Sequence, residues 1–341
     1  MATARITDEY PITYDATKAP VPYGRWAPGL ITRWLTSRQV YEKQRTLFTL
    51  CDYLHDPEHI TCCLQTGLVT VLCRLLEDDD SIVRHKSAQC LGVIAGHAVG
   101  REDLLRRDAL THLSWRFGDS VPLVRRNAHQ VVTALLKTPE GVEAGLACDL
   151  IPQLLSHLLT ELGEIMLLCL TSLQPLLRED PRRGLVLGGV RTMNQLLLSE
   201  VSSIRAAAAA CLHYLCLPTQ GKNEATALGS LPLLVRLLKD WDSAVRTQAA
   251  AAAGAVLVTT PAKMLAMQLP MLDHLLALTR EGDVPEARML ALQALATLAS
   301  HPEARRRLRA ERDVLDDASQ SPNEGVSRCA ARALEEVLWD P

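Results

Sequence analysis

Apolar residues in this chain recur at helical spacing, and the pattern itself repeats. Leu233, Leu234, Val235, Leu237 and Leu238 form a short apolar stretch that stops at Asp240. Ser243, Val245 and Arg246 follow, and then an alanine-rich run through Ala253. The same order stands at Leu72 to Asp78, Ser81 to Arg84 and Ala88. With the arginine pair as anchor, the series reads Val83-Arg84, Val124-Arg125, Ile165-Met166, Ile204-Arg205, Val245-Arg246, Ala287-Arg288 and Ser327-Arg328, in steps of 41, 41, 39, 41, 42 and 40 residues. A further step of 39 back from Arg84 reaches Arg45, which makes about eight units. A period of this length takes two or three helices per unit.

Each unit predicts a short apolar helix, an acidic turn and a longer helix opened by a serine (Ser81, Ser202, Ser243), whose side-chain oxygen caps free backbone amides. On the longer helix, alanines such as Ala249, Ala250 and Ala253 and then Leu91, Val132, Leu212 or Leu295 draw an apolar stripe of helical period. One unit cannot cover that stripe, whereas stacked neighbours do. The anchor arginines lie near Asp78 to Asp80, Asp119, Glu200, Asp240 and Asp283, which predicts ion pairing with the acidic turn before each one. The unit at Ile165-Met166 has lost its arginine and carries Pro175 in its last helix, so a bend is expected between residues 150 and 185.

An apolar helix ending Leu-Leu, an acidic turn, Val-Arg, Ala-Ala and then Ala-Leu, repeated over Arg25 to Trp339, resembles the armadillo family. The resemblance implies an all-α, armadillo-type (ARM/HEAT-like) right-handed superhelical solenoid of about eight repeats. It would occupy residues 25–341 behind an extended N-terminal arm, residues 1–24, that holds Pro11, Pro20 and Pro22 and shows no helical pattern.

Composition then narrows the chemistry. A formal charge of −3, from 36 basic and 39 acidic residues, marks neither nucleic acid nor an anionic membrane as partner. The N-terminus lacks the apolar run of a secretory signal and no later segment has the length of an apolar membrane span, so a cytoplasmic location is expected. The ten cysteines are scattered within apolar helical stretches, as reduced thiols are. His55, His59, Cys62 and Cys63 lie close together, but Pro57 interrupts the helical face a metal site needs, and no metal or other cofactor is expected. No phosphate-binding glycine loop, nucleophile elbow or zinc-protease helix occurs, so neither catalysis nor a small-molecule substrate is expected. The run Arg305-Arg306-Arg307-Leu308-Arg309 and Arg312 is offset by Glu303, Glu311, Asp313, Asp316 and Asp317, as on a charged, solvated helix.

The chain is therefore expected to work by binding proteins. Armadillo receptors that carry nuclear cargo line a groove with Trp and Asn. The matching positions here hold Gln89, Gln130, Thr171, Ala210, Ala251 and Gln293, and Val93, Ala134, Pro175, Tyr214, Ala255 and Thr297, which disfavours a transport receptor. Eight of thirteen aromatic residues precede residue 55. Tyr10, Tyr14, Tyr23, Trp26 and Trp34, with Lys18, are the candidate partner-docking residues, and the same aromatics serve equally as a cap on the first repeat.

Ala4-Arg5-Ile6, Asp15-Ala16-Thr17-Lys18-Ala19-Pro20, Tyr23-Gly24, Leu50 to Glu58 and His97-Ala98-Val99-Gly100-Arg101 are similar to the radial-spoke armadillo family of the ciliary axoneme, most distinctively over residues 1 to about 110. That resemblance implies a structural subunit of the radial spoke in motile cilia and flagella, with other radial spoke proteins as partners and a cytoskeletal, axonemal location. A general cytosolic adaptor or scaffold is the alternative.

Overall fold

The computed structural model describes residues 26–281 and 284–339; the arm expected at 1–24 lies outside them. Contacts divide the chain into two compact units, Met1–Leu135 and Leu136–Pro341. Among the described residues every regular element is helical. Unit 1 opens with α1 (Ala27–Leu35) and α2 (Val40–Tyr53), followed by α3 (Pro57–Gln65), α4 (Leu68–Leu75) and α5 (Ser81–Ala95). It closes with α6 (Ala98–Arg106), α7 (Ala109–Ser114), a 3-10 turn and α8 (Pro122–Leu135).

Unit 2 holds α9 (Pro139–Ala147), α10 (Leu150–Leu158) and α11 (Gly163–Glu179), then α12 (Pro181–Val186), α13 (Gly189–Leu196) and α14 (Ser202–Leu215). Next come α15 (Thr219–Ala227), α16 (Ser230–Leu237) and α17 (Ser243–Val256), and α18 (Thr260–Met267), α19 (Met271–Glu281) and α20 (Pro285–Leu298). The last three are α21 (Pro302–Ala310), α22 (Arg312–Ser319) and α23 (Glu324–Leu338). The described residues thus make seven three-helix repeats after one two-helix repeat, in agreement with the expected eight. Pro175 lies inside α11, which continues to Glu179.

Five of the seven three-helix repeats turn between their first and second helices through a left-handed residue. Gly67, Asp108, Asp149, Gly188 and Gly229 have φ between 51° and 76° and follow one another at 41, 41, 39 and 41 residues, the same steps as the arginine anchors. Glycine, and less readily aspartate, tolerates that backbone. The third helices carry the core. In unit 1 α2 packs on α5 and α5 on α8; in unit 2 α11, α14, α17, α20 and α23 pack in succession. Small residues allow the close approach, with Ala208, Ala249, Ala250, Ala253, Ala291 and Ala294 fully buried. The first helix also crosses close to the end of the preceding third helix. A Cβ on Gly100 would stand 2.0 Å from the Ile94 carbonyl oxygen, and one on Gly221 1.8 Å from that of Leu215.

The anchor arginines pair differently from the expectation. Arg84 Nη1 donates to the carbonyls of Asp78 and Asp79, each at 2.9 Å, while Nε and Nη2 reach Asp119 of the following repeat at 2.8 and 3.1 Å. Arg205 repeats this, with the carbonyls of Ser199 and Glu200 behind it and Asp240 ahead at 2.8 and 2.9 Å. The preceding turn presents its carbonyl oxygens to the guanidinium, while Asp78 pairs with Lys43 and Asp240 with Arg205 of the repeat before. Asp80 and Asp242 cap α5 and α17 by accepting from the Val83 and Ala244 amides, a task expected of Ser81 and Ser243. Val201 precedes α14 with no side-chain cap.

Two anchors also shift. Lys43, not Arg45, takes the clamp position of the first repeat, its Nζ 2.5 Å from Asp78. In the last repeat Asn323 caps the Val326 amide as Asp80 caps that of Val83, so the anchor pair is Val326-Ser327. There Ser327 Oγ donates to the Ser319 carbonyl at 2.6 Å.

Burial works against ionising Asp119, but hydrogen bonds from Arg84 and the Val121 amide and the charges of Arg84 and Arg116 prevail, holding its carboxyl below the ordinary range. A depressed carboxyl contributes stability above its unfolded pKa and loses it as pH falls through the folded value. Asp119→Asn should therefore lower the unfolding free energy near pH 7 by about 3 kcal/mol. In urea titrations the variant and the parent should converge well below about pH 4. Gly100→Ala should lower the thermal midpoint, the cost being of order 2 kcal/mol because its Cβ meets backbone. Gly29→Ala, in α1 with nothing within 4 Å of its Cβ, should raise it slightly.

Candidate protein-docking surfaces

Among the expected docking residues, Tyr10, Tyr14, Lys18 and Tyr23 lie outside the described residues. Trp26 and Trp34 are brought together on the first repeat. The helix α1 turns Ala27, Pro28, Ile31 and Leu35 into the core, which leaves Trp26, Leu30 and Trp34 on an outward stripe at i, i+4 and i+8. Trp26 is 67% exposed and Trp34 40%. Beside Trp26 opens a cleft of about 520 Å³, which reaches Tyr53 and His59. There the His59 ring stacks on Tyr53, centroids 3.8 Å apart, and its Nδ1 lies 3.0 Å from the Tyr53 carbonyl. Cys63 is buried, and burial pushes its thiol up to about 12. No group of three or more His, Cys, Asp or Glu among the described residues is placed to hold a metal ion.

Within each unit a second surface runs over the third helices. Counting five residues on from each clamp position gives Phe48, Gln89 and Gln130 in unit 1, and Thr171, Ala210, Ala251, Gln293 and Arg332 in unit 2. Gln89, Gln130, Thr171 and Gln293 are exposed, while Ala210 is buried. The ladder expected from the sequence starts at Gln89, counted from Arg84, and includes no position in the first repeat. With Lys43 as the clamp of that repeat, Phe48 joins the ladder, 45% exposed. Lys86 Nζ sits 4.3 Å from the Phe48 ring centroid and donates to Gln89 Oε1 at 2.9 Å. At the other end, moving the last anchor to Ser327 puts Arg332 and Glu336 in the two ladder rows.

Four arginines of the basic run after residue 304 are engaged within the fold. Arg305 donates to the Ala299 carbonyl and lies over the Trp339 ring, and Arg309 donates to the Val337 and Trp339 carbonyls. Arg307 pairs with Asp273 and Arg312 with Asp316. Three exposed tryptophans outside the N-terminal aromatic cluster, Trp115, Trp241 and Trp339, join Trp26 and Trp34 at the surface. No helix among the described residues is long and apolar enough to cross a membrane.

The HEAT repeat family matches residues 68–98, which hold α4 and α5. Among solved structures, an engineered protein superposes with a TM-score of 0.70 at 20% identity, over 92% of this chain and 89% of its own. A designed armadillo repeat protein gives 0.61 at 19% identity, over 67% of this chain and 99% of its own. Another, designed for modular peptide recognition, gives 0.62 at 20%, over 67% and 98%. A further designed armadillo protein, solved with a (KR)4 peptide, gives 0.61 at 19% over 67% and 98%. At such identities the likeness concerns the fold. Together with the HEAT match and the helical repeats, it gives this chain a HEAT/armadillo-like repeat fold.

Proposed function

We propose that this chain is a non-catalytic structural scaffold of the axonemal radial spoke, a radial spoke head 14 homologue that supports ciliary or sperm motility through contacts with other radial spoke proteins. The observation that carries the scaffold part is an all-helical HEAT/armadillo-like repeat fold, a form typical of protein-binding scaffolds, with large aromatic side chains exposed on its first repeat. Its designed structural neighbours include one made for peptide recognition and one holding a peptide, which supports protein partners here too. The axonemal part rests on the similarity of residues 1 to about 110 to the radial-spoke armadillo family.

In this reading the partner-docking end comprises Tyr10, Tyr14, Lys18, Tyr23, Trp26 and Trp34. Trp and Tyr bury large areas at little entropic cost, and several modest contacts along one chain add through effective concentration. A location in the cytoplasm and the ciliary or flagellar cytoskeleton follows from the same proposal.

Demembranated motile cilia or sperm flagella, fractionated and examined by mass spectrometry, should retain this chain with the doublet microtubules and radial spoke proteins. Release with the soluble fraction would sink the axonemal reading and favour a general cytosolic adaptor. The double variant Trp26→Ala/Trp34→Ala should leave the thermal midpoint within about 2 °C of the parent, since both side chains are largely at the surface. It should also lower axonemal retention roughly tenfold, as removal of aromatic anchors does. Undiminished retention would remove these tryptophans from the docking surface.

A further inference from the structure

The third helices of the last two repeats frame a groove of about 600 Å³. Gln293, Thr297 and Ser300 line it from the α20 side, Arg328, Arg332 and Glu336 from α23, and Lys263 from α18. Three cations therefore share the groove with one carboxylate. Several other arginines of unit 2 have acidic partners: Arg183 pairs with Asp149, Arg205 with Asp240 and Arg312 with Asp316. Among the described residues, Arg328 and Arg332 have no ion pair, and both are exposed.

Lys263 departs from the habit of its repeat position. At the matching place Arg101 donates to the Ala95 and Gly96 carbonyls, Lys222 to that of Leu217 and Arg305 to that of Ala299. In each case a cation on a first helix closes the end of the third helix just before it. Lys263 instead donates to Ser300 Oγ, 2.5 Å away and one repeat further on. Its ammonium is half-buried with a neutral hydroxyl as partner, and burial pushes its pKa below the ordinary lysine value. A cation removed from water without a counter-charge is undercompensated. A carboxylate entering the groove would supply a charge-assisted hydrogen bond there.

We propose that this groove binds an acidic, extended segment of a partner protein, whose aspartate and glutamate side chains meet Lys263, Arg328 and Arg332. Gln293 and Thr297 stand one helical turn apart on α20. The Gln293 amide, one N–H of which meets Cys329 Sγ at 3.6 Å, keeps a donor and an acceptor for the segment's backbone. Thr297 Oγ, whose hydrogen goes to the Gln293 carbonyl at 2.9 Å, keeps an acceptor. Val258, Ala296 and Cys329 give the groove apolar floor as well as charge, and its volume suits several residues of chain rather than a single small anion. Even with Glu336 the lining keeps a net positive charge, and it is this excess of cations that disfavours a basic segment. The inference rests on the protein-binding reading above, but not on which assembly the chain joins.

The test is fluorescence anisotropy with the full chain and a fluorescein-labelled (Asp-Ala)5 peptide, with a (Lys-Arg)4 peptide as control. The acidic peptide should bind saturably and lose affinity as salt rises, and the basic one should not bind. Arg328→Glu/Arg332→Glu should weaken binding at least about tenfold, and Lys263→Met by a few-fold, with the thermal midpoint unchanged. Should the charge reversal unfold the chain, Arg332→Gln carries the same test with a smaller loss. Absence of saturable binding, equal binding by the charge-reversed chain, or a preference for the basic peptide would overturn the proposal. So would binding of inorganic phosphate, or of a phosphoserine peptide, where the aspartate peptide fails. A chain that fails here yet is retained with the axoneme loses this site and keeps the scaffold function.

Discussion

Third helix on third helix is the contact on which the rest of this protein depends. A repeat of about forty residues cannot cover its own apolar stripe, so each must lie against the next. The stripe is rich in alanine because the helices approach closely, as at Ala249, Ala250 and Ala253 of α17 and Ala291 and Ala294 of α20. Buried area alone would let neighbouring repeats slide. The clamp formed by Arg84 and Arg205 removes that freedom, because one guanidinium binds the carbonyls of its own turn and the carboxylate of the next. Five donors fixed in a plane suit that double task, which a lysine meets only in part. Lys43 accordingly reaches Asp78 through a single ammonium.

Core and register are thus satisfied by positions that face inward or sit at the turns, and the outward row of the third helices is left to vary. Along that row stand Phe48, Gln89 and Gln130 in one unit and Thr171, Ala251, Gln293 and Arg332 in the other. The backbone repeats while its surface does not. Such a surface offers different chemistry at successive places: an aromatic ring with a cation over it at Phe48, and a cationic groove around Arg328 and Arg332. Function in a repeat scaffold resides in those differences.

The aromatic end illustrates how much of the candidate site was legible. Trp26 and Trp34 were expected on composition, and the structure exposes both, because α1 has one neighbouring face to bury and fills it with Ala27, Ile31 and Leu35. Phe48 was missed although it is one of the same aromatic cluster. Its place on the ladder depends on Lys43 rather than Arg45 holding the clamp, and two basic residues two positions apart look alike without their partners. Arg332 was missed for a similar reason: Ser327 does the work of a guanidinium, and the arginine beside it imitates the anchor.

By itself the sequence determined the helical class, the period and the number of repeats. Helical periodicity and close-packed alanines are imposed by burial, which every unit must solve in the same way. The left-handed turns at Gly67, Asp108, Asp149, Gly188 and Gly229 carry the same steps, since few residues tolerate that backbone. Only the tertiary structure decided which carboxylate each clamp takes and which cations stay unclaimed. Those pairings join residues 35 apart, in Arg84 to Asp119 and Arg205 to Asp240, and turn Lys263 toward Ser300, 37 residues on. An ion pair is chosen by distance and direction between side chains in space, and several acidic residues in each turn satisfy the charge equally well until the repeats are stacked.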